Sequence, residues 1–164
     1  MIQMRAYDFI KNLMEEEYFH GQWFMAWDQA ESYFELVLQC PLANEEGYHL
    51  EDNHQGESVE PEIFYQFSVV FYNPREIELD KAGALMAFPI DWDKGIRQGD
   101  ALAIVRYLKI LSASVRIAWY NFLKEDKANQ TFSLEWNAQE FEALRQQLKD
   151  KQLFSDHRLL FKEE

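Results

Sequence analysis

Residues Ile63 to Tyr72 read IFYQFSVVFY, and this stretch decides the fold. Ile63, Tyr65, Phe67, Val69 and Phe71 fall on one side of an extended chain, while Phe64, Val70 and Tyr72 share the other with Gln66 and Ser68. Aromatic and β-branched residues at a period of two predict a strand, and apolar residues on both faces place it centrally in a sheet. Upstream, Trp23, Met25 and Trp27 alternate, Asp28 to Glu31 offers a turn, and Tyr33 to Gln39 is extended again, which predicts a β-hairpin. Pro41 marks the expected end of pairing. Residues 41–62, with Gly47, Gly56, Pro61 and many acids, read as a long loop or one with an irregular excursion. Downstream, Asn73-Pro74 turns the central strand, and Leu85 to Phe88 reads as a further strand stopped by Pro89.

Helical periods flank this β-rich middle. Ala6, Ile10 and Leu13, with Tyr7 and Met14 beside them, predict an amphipathic helix over about residues 4–17. Between Asp100 and Asp126, Ile104, Leu108, Leu111, Val115, Ala118 and Phe122 form one helical stripe, with Arg106, Lys109 and Arg116 opposite. Tyr107, Ile110 and Ile117 widen the apolar sector, so this helix is expected to pack on more than one side, and Ser112 to Ser114 could bend it. Phe132, Leu134 and Trp136 alternate with Thr131, Ser133 and Glu135, the pattern of a half-buried strand. Asn137 then caps a helix running to about Lys149, with Glu140 placed to reach back. The tail holds Leu153, Phe154, Leu159, Leu160 and Phe161 and is expected to dock, as an edge strand. Strands mostly follow one another without intervening helices, so the expected class is α+β. It has an antiparallel β-sheet of about four to six strands with helices packed mainly on one face. Residues 1–164 show no repeat and no linker, which predicts a single compact domain.

Charge divides the chain unequally. The net charge is −13, and residues 1–95 carry −14 while residues 96–164 carry +1. From Asn12 to Pro74 there are thirteen acids and no Lys or Arg. Such a surface repels phosphate backbones, so no nucleic acid is expected as a partner. No apolar run approaches the ~18 residues of a membrane span, which excludes a transmembrane helix. MIQMRAYDFIK has no signal-peptide apolar core, and Cys40 is the single cysteine, so the expected compartment is the cytoplasm.

Four segments carry a resemblance: Phe71-Tyr72-Asn73-Pro74, Trp92-Asp93-Lys94-Gly95-Ile96, Arg106-Tyr107-Leu108-Lys109 and Phe132-Ser133-Leu134-Glu135-Trp136-Asn137. Through them the last two thirds of the chain resembles a family of small acidic uncharacterised proteins from Gram-positive cocci and lactobacilli. The resemblance implies no activity and assigns no catalytic residue.

Candidate chemistry is sparse. His49 and His54 with Glu51, Asp52 and Glu57 are metal-ligand types, but their spacing matches no established site, so no metal or other cofactor is expected. His20 and His157 read as local structural or surface residues, and Cys40 as a buried thiol with no base near it in sequence. Gly95 to Gly99 lacks the lysine and glycine pattern of a phosphate loop. Asp91 with Asp93, and Glu76, Glu78 and Asp80, read as solvated acids. The expected function is a non-catalytic protein-binding or regulatory module, whose acidic face at Glu45, Glu46, Glu51 and Asp52 receives a basic protein. Two alternatives stand beside it. One is a small-molecule binder whose pocket on the sheet is drawn from Trp23, Trp27, Tyr33, Phe64, Tyr65, Phe67, Phe71 and Tyr72. The other is a metal-dependent enzyme using the loop from His49 to Glu57.

Overall fold

A computed structural model describes residues 5–19, 21–28, 33–43, 50–52, 56–58, 62–75, 84–124 and 132–161. The chain begins with helix α1 (Ala6–Glu16), then strands β1 (Gln22–Asp28), β2 (Tyr33–Ala43), β3 (Leu50–Asp52), β4 (Gly56–Ser58) and β5 (Glu62–Tyr72). Strands β6 (Met86–Pro89) and β7 (Ile96–Arg97) lead into the long helix α2 (Gln98–Lys124), followed by helix α3 (Ala138–Asp150) and strand β8 (Arg158–Leu159). The class is α+β.

IFYQFSVVFY forms the bulk of β5, inside a four-stranded sheet of order β1-β2-β5-β6. β1 and β2 pair antiparallel from Gln22↔Gln39 to Asp28↔Tyr33, and β2 and β5 from Tyr33↔Tyr72 to Ala43↔Glu62. The expectation of an antiparallel sheet needs one correction, because β6 runs parallel to β5, from Val69↔Met86 to Tyr72↔Pro89. Residues 73–85 between them are long enough for the crossover that a parallel pair requires. Read as a tight turn, Asn73-Pro74 concealed that option.

The expected end of pairing at Pro41 is also corrected, since Pro41 lies opposite Phe64 inside the ladder. The Leu85 N–H donates to the Ser68 carbonyl at 2.8 Å and the Ile90 N–H to that of Tyr72 at 2.7 Å, so even-numbered β5 residues face β6. Odd-numbered β5 residues therefore face β2, and their partners there are even-numbered. Pro41 turns its nitrogen toward β1, whose ladder has already ended at Gln22↔Gln39, so no hydrogen bond is lost. Within the expected loop, β3 and β4 pair antiparallel from Leu50↔Ser58 to Asp52↔Gly56.

Phe34, Leu36, Leu38, Cys40, Val69 and Phe71 on one sheet face meet Ala6, Ile10 and Met14 of α1 and Ile104, Leu108, Leu111 and Val115 of α2 in one buried cluster. Ser112 and Ser114, the residues expected to allow a bend, donate their hydroxyls to the carbonyls of Lys109 and Leu111, both at 2.9 Å, and the helix runs on through them. Packing on more than one side does not extend along α2, for Tyr107 is buried but Ile110 and Ile117 are exposed.

Residues 132–137 are extended with Phe132 buried and Ser133 and Glu135 exposed, yet they form no strand. The Leu134 N–H donates to the Tyr65 hydroxyl at 2.9 Å and the Asn137 N–H to the Tyr107 hydroxyl at 3.2 Å. Side-chain oxygens occupy donors that a ladder would have used, and the sequence period cannot distinguish the two. The Asn137 side chain accepts from the Glu140 N–H at 3.0 Å, the expected cap. As expected the tail docks, though as β8 antiparallel to β7 in a separate two-stranded sheet and not on an edge of the four-stranded one. Beyond that pair, the Gln98 and Gly99 N–H groups, orphan donors of the first α2 turn, reach the carbonyls of His157 and Ser155 at 2.8 and 2.9 Å. Gly95, at φ +73, lies where any Cβ would run into the Leu159 carbonyl. Phe161 closes the core, with ring centroids 4.8 Å from Trp92 and 5.9 Å from Phe71.

Candidate functional site

An eleven-residue β5 runs beside a four-residue β6. β6 covers β5 only from Val69 to Tyr72. Beside the part of β5 that β6 does not pair lies an open cleft of about 680 Å³, lined by Tyr65, Gln66 and Phe67 of β5, by Ala84, Leu85 and Met86, and by Leu134, Glu135, Trp136 and Ala138. Its volume falls in the range of ligand sites, roughly 300–1,000 Å³. Tyr65 is fixed by the bond from Leu134 and by an edge contact with Phe132 at 5.1 Å, and Trp136 by an edge contact with Tyr107 at 4.6 Å. Gln66 accepts at its Oε1 from Gln39 Nε2 at 2.9 Å, so its side chain is turned toward β2, away from the β6 side.

Of the eight aromatics expected to line a pocket on the sheet, Tyr65 and Phe67 reach this cleft. Phe71 is fully buried, stacked 5.2 Å from Phe34, and Trp27 packs at 5.8 Å from Trp92. Trp23 packs against the core and Phe64 is exposed. Gln66, Leu134, Glu135 and residues 84–86 were missed by sequence reasoning. Their only trace there is the polar interruption of an apolar strand at Gln66 and the outward Glu135 of a segment misread as a strand.

Glu45, Glu46, His20, His49 and His54 lie outside the described residues, as do Glu76, Glu78 and Asp80. Glu51 and Asp52 lie on β3, opposite Glu57 and Gly56, with their side chains outside the description. Glu17, at the end of α1, meets two bases of α2: Lys109 Nζ at 3.0 Å and Arg106 Nε at 3.5 Å. The other described ion pairs take Arg145 to Asp100 and Glu142, and Arg75 to Asp91 and Asp93. Among the described residues, then, Glu17 is the one acid between Asn12 and Pro74 seen to draw a cation from the long helix.

Cys40 is buried, and burial pushes its thiol up to about 11, which leaves a protonated, unreactive sulfur at neutral pH. Burial also raises the pKa of Tyr65, against the opposing hydrogen bond from Leu134, and that of Tyr107. His157 is exposed and contributes its carbonyl to α2. No group of three or more His, Cys, Asp or Glu able to hold a metal ion occurs among the described residues. No described helix is long and apolar enough to cross a membrane.

These features define a small α+β protein with a mixed sheet, one helical face and a cleft beside an incompletely paired strand. The chain belongs to the family described as "Protein of unknown function (DUF3013)", which matches residues 1–157 and so extends beyond the last two thirds of the chain. A crystal structure titled "Crystal Structure of Conserved Protein of Unknown Function from Enterococcus faecalis" is similar to it at a TM-score of 0.82 and 19% identity. The match covers 99% of this chain and 98% of that one, and at this identity it speaks for the fold alone. No curated protein matches the chain.

Proposed function

We propose that the chain is a non-catalytic, cytoplasmic protein-binding module whose acidic half receives a basic partner. The observation that supports this is the economy of cation use along α2. Arg106 and Lys109 both converge on Glu17, so two of the long helix's four bases are committed to a single acid of the base-free stretch. The net charge of residues 1–95, −14 by sequence, sets up a field that attracts a basic protein and speeds its encounter at low salt. The buried, protonated Cys40 offers no nucleophile, in keeping with a binding role. A second function is favoured by the cleft itself, whose aromatic walls suit an apolar small molecule.

Partner capture from host extract tests the first proposal, at ionic strengths where the Debye length is ~10 Å and ~3 Å. Basic proteins should be retained at low salt, released at high salt, and lost when Glu45, Glu46, Glu51 and Asp52 are changed together to Gln, Gln, Gln and Asn. A partner set without basic character, or one indifferent to both salt and the four substitutions, removes the acidic face as the binding determinant.

A further inference from the structure

We propose that the cleft beside β5 is a strand-addition site, which takes an extended segment of a partner polypeptide carrying alternating apolar residues and at least one Lys or Arg. This deepens the protein-binding proposal and rests on it, but it does not need the acidic face at Glu45 to Asp52. The argument starts from backbone parity. Ser68 and Tyr72 accept from Leu85 and Ile90, so even-numbered β5 residues direct their N–H and C=O groups to the β6 side. The ladder with β6 begins at Val69, so on that side no described strand pairs with residues 62–67. Phe64 and Gln66 therefore direct a strand's donors and acceptors to a side where no described strand takes them, while Tyr65 and Phe67 spend theirs on Cys40 and Leu38 of β2.

The cleft has the form such an occupant needs. It lies beside β5 where the ladder with β6 stops and is lined as well by Leu134, Glu135 and Trp136, with the Leu134 N–H on the Tyr65 hydroxyl. An added strand bonds to the edge through its backbone and places alternate side chains against Tyr65, Phe67, Leu134 and Trp136. A small apolar ligand would use these walls but would leave the backbone groups of Phe64 and Gln66 without partners. Charge selects the sign of the occupant: Glu135 lines the cleft and is exposed, and residues 1–95 carry −14.

The test uses the full chain and random decapeptides displayed on phage, selected at high salt so that long-range steering by the acidic half is screened. Selection should enrich sequences with alternating apolar residues, a Lys or Arg and no central proline. A synthetic peptide of the enriched sequence should bind the wild type and lose at least ~tenfold in affinity toward Gln66→Pro, tenfold corresponding to about 1.4 kcal/mol. That substitution removes an edge-facing N–H and no backbone bond to β2, losing there only the exposed side-chain bond from Gln39, and proline is tolerated at such positions. Because Gln66→Pro could also disturb the fold, the wild type is titrated in parallel with peptides N-methylated at successive positions. Methylation at one parity should lower affinity at least ~tenfold and at the other parity much less. Bound peptide should slow amide exchange at Phe64 and Gln66 more than at Tyr65 and Phe67. Failure to enrich any peptide overturns strand addition, as does occupation of the cleft by the apolar dye anilinonaphthalene sulfonate with no peptide competing for it. A peptide that binds Gln66→Pro equally and shows no methylation parity also overturns it, while leaving the protein-binding proposal intact. Loss of basic partners from the four-residue amide variant has no bearing on this peptide, so the two proposals fail separately.

Discussion

The two faces of α2 are built from the same kinds of residue and meet opposite fates. On the inner face Leu108 and Val115 are 0% exposed and Leu111 is 6% exposed. On the outer face Ile110, Ile117 and Tyr120 are 50%, 66% and 58% exposed. Hydrophobicity and helical spacing do not separate these sets, because Ile110 and Ile117 are as apolar as the residues inside. What separates them is supply: the sheet, α1 and α3 come to one side of the helix, with Glu17 reaching its border to hold Arg106 and Lys109. An apolar period states that a face can be buried, and only the rest of the fold decides whether it is.

The largest expected effect therefore falls inside. Leu108→Ala removes a fully buried side chain from the junction of sheet and helices and should cost roughly 2–5 kcal/mol, from lost transfer energy plus the cavity left behind. Denaturant unfolding measures it as a shift of midpoint at unchanged slope. A negligible shift would break the comparison at its stronger end.

How far this fold was legible follows the same division. The hairpin of β1 and β2, the inner place of β5, the docking of the tail and the cap at Asn137 each depend on a few residues close in sequence or on a strong alternation, and all were readable. The parallel entry of β6 was not, because the direction of a four-residue strand leaves no mark in Met86 to Pro89 themselves. Phe132 to Trp136 misled for a related reason: alternation reports one apolar side, whereas a ladder needs a neighbour, and here the Tyr65 hydroxyl took the Leu134 N–H. The cleft inherits both errors. Its walls are the end of β6 and that unladdered segment, so no reading that paired them correctly could have been made from either stretch alone.

Alkaline pH tests the inner side of the comparison through titratable groups within the core. Burial raises Cys40 from 9.0 to about 11 and raises Tyr65 and Tyr107 above the ordinary 10.0. A group with a raised folded pKa binds its proton more tightly when folded. Its contribution is therefore complete below the unfolded pKa and is lost as pH climbs through the folded one. Stability should be flat with respect to these groups up to about pH 9 and fall between about 9 and 11, and Cys40→Ala should flatten the first part of that fall. Denaturation midpoints at half-unit steps from pH 7 to 11 measure it. A profile that stays level across this window would place the three groups in water rather than in the core.

The smallest effect is expected on the outer face, and it is the more demanding test because it depends on what does not happen. Ile117→Ala removes a side chain that is 66% exposed, so little transfer energy is at stake, and surface changes of this kind usually stay within about 0.5 kcal/mol. Alanine also has the higher helix propensity by a few tenths of a kcal/mol, which offsets what remains of the contact. The expected outcome is an unfolding midpoint within error of the wild type, unchanged when protein concentration is raised a hundredfold. A cost approaching that of Leu108→Ala and independent of concentration would mean that part of this chain covers the outer face in solution. A cost that grows with concentration would mean that a second molecule does, since association stabilises by mass action. Either result would erase the difference between the two faces.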